Sequence, residues 1–117
     1  MRFWKNNPSL WPVTTLTLGS QSYTQTELLK LLGTSTTSDA SLILARQLIA
    51  AKLNVANGSD PAPAASTISD ADARLGAFTG KLPYNVKSSS AAGRPMTNDA
   101  NVLNNYNTGL LTPNCTP

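Results

Sequence analysis

The chain has 117 residues and a net charge of +3, and only 13% of its residues are charged. This length predicts one domain with a modest core. The basic residues are scattered without a cluster, so nucleic-acid binding is not expected. The sequence contains no histidine, and it therefore lacks the side chain that most often serves as a general base or a metal ligand.

Residues 1–23 are predicted to be an irregular segment, because Pro8 and Pro12 oppose a continuous helix there. The β-prone residues after Pro12 and the turn pair Gly19-Ser20 are consistent with a short hairpin of residues 15–18 with 21–23. A two-stranded ribbon is only marginally stable alone, so we expect it to lie on the helices.

Both tryptophans of the chain, Trp4 and Trp11, fall in this first segment. One interpretation, which we favour, is that they cover the helical core. The other is an exposed aromatic platform that binds carbohydrate or peptide. Under the second interpretation, Tyr84 in a later connection is a further candidate binding residue.

Four helices are predicted after this segment. Thr24 and Glu27 have the spacing of a capping box, which marks a helix start, and Gly33 marks the end of that helix. Thr97 is predicted to cap the last helix, with Asp99 as the negative charge of its first turn. The predicted helical ranges are 24–32, 38–57, 64–79 and 98–108.

The run from Leu42 to Ala56 is the densest apolar stretch of the sequence. On a helical wheel it carries two apolar bands, one through Leu48 and one through Ile49, and Gln47 and Asn54 interrupt it at nearly the same angle. A helix that is apolar on two sides needs cover on two sides. We therefore predict that 38–57 is the central, buried helix. The run is too short and too charged to be a membrane span.

Two further stretches are predicted to lack regular structure. Residues 81–96 form a long connection, and connections of this length are often functional. Residues 110–117 form an extended tail that contains Cys115, the only cysteine. Cys115 cannot form an intrachain disulfide, so an intermolecular disulfide and a free thiol both remain open.

No convincing catalytic or metal-binding arrangement is visible in the sequence. Asp70 and Asp72 lie two residues apart on a predicted helix, so they do not face each other. Asn57, Ser59 and Asp60 offer oxygen ligands, which leaves Ca²⁺ as a minor alternative without the spacing of an EF-hand. We predict no enzymatic activity and no cofactor or metal.

Several motifs together resemble an uncharacterised module found near the C-termini of large bacterial secreted or cell-surface proteins. In that module the first motif commonly reads Gly-Tyr-Trp-Lys-Asn-His-Pro, and the central helix commonly carries a histidine. This chain has Asn7 and Arg46 at those two positions, so a metal or proton role of the histidines would not carry over. The resemblance implies an extracellular setting and nothing enzymatic. The matching stretches are Phe3–Pro8, Trp11–Val13, Leu16–Gly19, Leu42–Gly58 and Leu110–Cys115.

The prediction is thus a single all-α or nearly all-α domain over 1–117, with about four helices around helix 38–57. Its predicted function is that of a non-catalytic extracellular module for assembly or attachment, with copies of itself or neighbouring domains as partners. The alternative is a module that binds carbohydrate or peptide through Trp4, Trp11 and Tyr84, and a hydrolase is a distant third. No start resembling a signal peptide is present, so an exported protein would correspond to a mature fragment.

Overall fold

The computed structural model describes residues 2–34 and 39–108, with side chains from Trp4 onward. Within these ranges the fold is mostly helical with a small antiparallel β-ribbon, as the sequence predicts, although it has five α-helices rather than about four. None of the described helices has the length and hydrophobicity that crossing a membrane requires. The elements are α1 (Arg2–Asn6), β1 (Thr15–Leu18), β2 (Gln21–Thr24), α2 (Gln25–Gly33), α3 (Ala40–Ala56), α4 (Ala65–Gly76) and α5 (Gly93–Asn107), with a short 3-10 helix at Pro8–Leu10.

The ribbon confirms the predicted hairpin and extends it by one residue. β1 and β2 pair with Leu18 opposite Gln21, so Gly19 and Ser20 form a two-residue turn. Gly19 has a φ of +64°, and a Cβ atom there would lie 2.7 Å from the backbone nitrogen of Gly76. The position needs glycine for both reasons, and the close approach seats the ribbon on the end of α4.

α3 is the central helix, as predicted. Asp39 caps its start, and Asn57 follows its last residue. Eight of its apolar side chains are fully buried, and it contacts α2, α4, α5 and β1. Elements on several sides cover both of its apolar bands, which is what the sequence pattern requires. The fully buried residues are Ala40, Leu44, Ala45, Leu48, Ile49, Ala50, Ala51 and Leu53.

The ends of the other helices differ in part from the prediction. α2 begins with the predicted capping box, in which Glu27 N donates to Thr24 Oγ1 at 3.3 Å and Thr24 N donates to Glu27 Oε1 at 3.0 Å. α4 ends at Gly76, three residues before the predicted end. The first segment, predicted to be irregular, contains α1 and the 3-10 helix. These elements are too short to stand out from the sequence.

α5 begins five residues before the predicted start, at Gly93 instead of residue 98. Ser90 stabilises the start of α5 through two hydrogen bonds. Its Oγ accepts one from Gly93 N at 3.0 Å, and its carbonyl accepts one from Arg94 N at 3.0 Å. Pro95 is tolerated because it lies in the first turn, where the backbone N–H has no acceptor within the helix. Thr97 is therefore inside the helix and is not its cap.

Candidate functional site

The two tryptophans are part of the core. Trp4 is 1% exposed and Trp11 is 9% exposed. Trp4 Nε1 donates to Asn54 Oδ1 at 2.9 Å, and Trp11 Nε1 donates to the Trp4 carbonyl at 2.8 Å. The structure therefore favours the interpretation in which they cover the core. The exposed platform is wrong for these two residues, because a platform needs open ring faces and these rings are buried.

Asn54 is the centre of a buried polar network that we call the asparagine clasp, made of Trp4, Gln47, Asn54 and Asn107. Asn54 Nδ2 donates to Asn107 Oδ1 at 3.0 Å, and Asn107 Nδ2 donates to Gln47 Oε1 at 2.9 Å and to its carbonyl at 3.0 Å. Asn54 and Asn107 are 2% and 1% exposed. The clasp joins α1, α3 and α5, so both ends of the described chain are attached to one point of the central helix.

We expect Asn54→Ala to destabilise the protein by about 2–4 kcal/mol. The substitution removes the acceptor of the Trp4 indole and the donor to Asn107 in a buried position, and buried polar groups without partners are costly. Urea unfolding followed by tryptophan fluorescence measures the loss. The matched control is Asn105→Ala on the exposed face of α5, which we expect to change stability by less than about 0.5 kcal/mol. Equal effects of the two substitutions would contradict the clasp.

Asp39 anchors the long connection between α4 and α5. Its Oδ1 accepts hydrogen bonds from Ser41 N at 2.9 Å and Val86 N at 3.1 Å, and its Oδ2 accepts one from Asn85 N at 3.1 Å. Burial opposes ionisation of this carboxyl. The hydrogen bond from Ser41 Oγ at 2.6 Å and the three from backbone N–H groups outweigh burial and hold the pKa of Asp39 below its usual value. Ser41 Oγ also accepts a hydrogen bond from Tyr84 N at 3.1 Å. The connection is thus fixed to the start of α3.

Tyr84, the third candidate binding aromatic, is half-buried and engaged within this connection. Its ring stacks on Phe78 with centroids 4.7 Å apart, and its hydroxyl donates to the Gly80 carbonyl at 2.8 Å. Burial, together with a hydrogen bond to Tyr23, raises the pKa of Tyr84 to about 12. The structure does not bring Tyr84 together with the tryptophans, which are held by the asparagine clasp.

Of the three residues suggested as Ca²⁺ ligands, Asp60 has a structural hydrogen bond. Asp60 Oδ1 accepts a hydrogen bond from Ala62 N at 3.0 Å, which shapes the turn before α4. Among residues 2–34 and 39–108, no group of three or more metal-ligating side chains converges. Cys115 and the rest of the tail 110–117 lie outside the described residues, so an intermolecular disulfide and a free thiol both remain open.

An open apolar groove lies between the end of α3 and the start of α4, and we call it the α3–α4 groove. Its volume is about 360 Å³, which is within the usual range of ligand and contact pockets. Its one charged group, Lys52 Nζ, forms an ion pair with Asp72 at 2.8 Å. The lining residues are Lys52, Val55, Ala56, Pro61, Ala65 and Ile68. Sequence reasoning missed the groove, because Val55 and Ile68 both fit the apolar stripes of their helices.

The contact between α4 and α5 holds a cluster of three charged side chains. Arg74 Nε lies 2.7 Å from Asp70 Oδ2 and 3.5 Å from Asp99 Oδ2. Burial, with the Asp70 carboxylate beside it, raises the pKa of Asp99 to about 7. The hydrogen bond with Asp99, followed by the one from Arg74, lowers the pKa of Asp70. The prediction that Asp99 lies in the first turn of the last helix is wrong. α5 starts at Gly93, and Asp99 faces α4, where it contacts Arg74.

Comparison of the chain with protein-family models, with curated proteins and with solved structures found no match. The resemblance to a surface-protein module therefore remains a prediction from the motifs.

Proposed function

We propose that this chain is a non-catalytic extracellular module for assembly or attachment, and that its contact surface is the α3–α4 groove. The open apolar lining of the groove is the observation that carries the proposal. The extracellular setting is supported by the motif resemblance and by a surface in which Ser, Thr and Asn replace most charged residues.

The chemistry of the groove suits a protein partner. Its lining is aliphatic except for Lys52, whose charge Asp72 already neutralises inside the fold. A partner that covers the groove therefore does not have to bury an unpaired charge, which would be costly. Depletion of charged residues is also typical of the centre of protein–protein interfaces.

The polar anchors agree with a structural role. The asparagine clasp and the Asp39 anchor use buried or half-buried polar groups to attach irregular segments to α3. A module of an assembly needs such attachments, because forces that act on its ends must reach the core without opening it. Trp4, near one described end, and Asn107, near the other, both form hydrogen bonds with Asn54.

We take a second copy of this chain as the occupant of the groove. A net charge of +3 over 117 residues gives little repulsion between copies. The alternative partner, a neighbouring domain of a larger surface protein, would leave the isolated chain monomeric.

Sedimentation velocity from micromolar to millimolar concentration tests this proposal. We expect reversible self-association that Ala65→Lys weakens at least about tenfold, because a lysine in the apolar groove adds a charge without a partner. Ala65 is exposed at the first residue of α4, so the variant keeps its core. The matched control, Ala73→Lys, alters an exposed alanine of the same helix outside the groove.

Two outcomes would contradict the proposal. A wild-type chain that is monomeric at every concentration would exclude self-association. Equal weakening by Ala65→Lys and Ala73→Lys would mean that the contact does not use the groove.

A further inference from the structure

We propose that Asp70 and Asp99 share one proton and form a pH-sensitive latch that holds α4 against α5. This inference stands independently of the proposed function, since it concerns the seating of α4 in the single chain. It does bear on the groove, because Ala65 and Ile68 of α4 form one of its walls.

The geometry supplies one positive charge for two carboxyl groups. Arg74 Nε contacts both Asp70 and Asp99, at 2.7 Å and 3.5 Å. Asp70 is the more exposed of the two, with 44% of its side chain open to solvent against 16% for Asp99. One guanidinium compensates one carboxylate, and the less hydrated carboxyl is the one that keeps a proton.

The buried oxygen of Asp99 points to the same arrangement. Asp99 Oδ2 is buried and receives no hydrogen bond from the described part of the chain. In the ionised form this oxygen has only the Arg74 Nε contact at 3.5 Å, which is longer than a good hydrogen bond, and this is unfavourable in a buried site. In the protonated form the hydroxyl of Asp99 is itself a donor, and the Asp70 carboxylate lies beside it as an acceptor. Protonation thus converts a repulsive contact into a hydrogen bond between α4 and α5.

Within residues 4–34 and 39–108, Asp70 and Arg74 are the charged groups that act on Asp99. α5 packs on α3 and α4. The charged groups of α4 that face Asp99 are Asp70 and Arg74, while Asp72 on the same helix is paired with Lys52 of α3. Neither Lys52 nor Arg46, the two cations of α3, contributes to the pKa of Asp99.

The absence of histidine from the sequence makes the latch measurable. The pKa values of Glu27 and Asp39 are lowered from values of 4.5 and 3.8, so these groups are ionised above about pH 5.5 in both the folded and the unfolded state. Between about pH 5.5 and 7.5, we therefore expect the protonation of Asp99 to change on unfolding.

The direction in which stability changes with pH follows from the raised pKa of Asp99. The folded state holds the proton of Asp99 more tightly than the unfolded state does, so protonation stabilises the fold. The stabilisation is complete below the unfolded pKa, decreases as the pH rises from there to the folded pKa, and is absent above it. We therefore expect a melting temperature that decreases by about 5 °C or more as the pH rises from about 5.5 to 8.

The direct test is ¹³C NMR of the aspartate side-chain carboxyl groups in the intact chain. We expect one resonance with a midpoint near pH 7 in the wild type, its loss in Asp99→Asn, and a lower midpoint in Asp70→Asn. The melting temperature of Asp99→Asn should be nearly constant over the same pH range. Asp60→Asn is the matched control, because it removes a carboxyl from an exposed turn and should leave the Asp99 midpoint in place.

Amide hydrogen exchange, corrected for the intrinsic effect of pH, tests whether the proton acts on α4. We expect protection of α4 to decrease about tenfold or more from pH 5.5 to 8 in the wild type, and to stay constant in Asp99→Asn. Protection of α2 should decrease less than that of α4 in the wild type, because only global unfolding links α2 to Asp99, and it should stay constant in Asp99→Asn. The proposal is overturned if every aspartate titrates below pH 5, or if Asp99 titrates near pH 7 while the protection of α4 does not respond.

Discussion

Leu48→Asp is expected to abolish folding. Leu48 lies in the middle of α3 and has no exposed surface. An aspartate there would place a charge without a partner in the centre of the core, at a cost of several kcal/mol. That cost is comparable with the whole stability of a small domain, which is about 5–15 kcal/mol. Far-UV circular dichroism and the dispersion of the ¹H–¹⁵N spectrum measure the loss directly.

Two further variants separate loss of the core from a general effect of added charge. Leu48→Ala should leave a folded protein that is less stable by about 2–5 kcal/mol, because it creates a cavity without burying a charge. Val102→Asp adds the same charge at an exposed apolar position of α5 and should remain close to the wild type. A soluble Leu48→Asp variant with a cooperative melting transition would contradict the central role of α3.

The parts of the fold that could be predicted are those whose signals lie within a few residues. Thr24 and Glu27 form the capping box that their spacing indicates, and the turn at Gly19-Ser20 pairs the strands in the expected register. α3 could be predicted because its two apolar bands need cover whatever the partners are. In each case the local pattern and the tertiary contacts favour the same structure.

The candidate sites depend on contacts between distant residues, and no local pattern encodes these contacts. Trp4 and Asn54 are 50 residues apart in the sequence. The position of Asn54 beside Gln47 on one helical face was a signal of a polar contact, but it did not identify Asn107 as the partner. Likewise, the spacing of Asp70 and Asp72 correctly indicates that these two do not meet, and it is silent about Asp99.

The α3–α4 groove could not be predicted from the sequence for a different reason. An apolar stripe predicts which face of a helix is covered, but not how completely. Ile68 occupies the predicted core-facing stripe of α4 and is only partly buried. Pro61 lies in the connection between α3 and α4 and lines the groove. The groove thus depends on how these two helices pack, which an apolar stripe does not show.

Gly93→Ala is expected to destabilise the protein by about 3 kcal/mol. A Cβ atom at Gly93 would overlap the carbonyl oxygen of Lys87 and lie 2.8 Å from its carbonyl carbon and 3.0 Å from the Cα of Ser88. These neighbours are backbone atoms, so the whole start of α5 would have to move, and forced displacement of packed backbone costs about 1–3 kcal/mol or more. The backbone of Lys87 also forms an isolated antiparallel β-bridge with that of Asp39, so the movement would strain the anchor of the connection. Urea unfolding measures the loss.

Gly76→Ala is the matched control. It makes the same substitution in another helix, but its expected effect on the free energy of unfolding has the opposite sign. The nearest atom to a Cβ at Gly76 is the backbone nitrogen of Ser20 at 3.7 Å, an ordinary van der Waals distance. Alanine is favoured over glycine in a helix by about 0.5–1 kcal/mol, so Gly76→Ala should be neutral or slightly stabilising. If Gly93→Ala were also neutral or slightly stabilising, helix propensity alone would explain both substitutions. The close contact between Gly93 and Lys87 would then not determine where α5 begins.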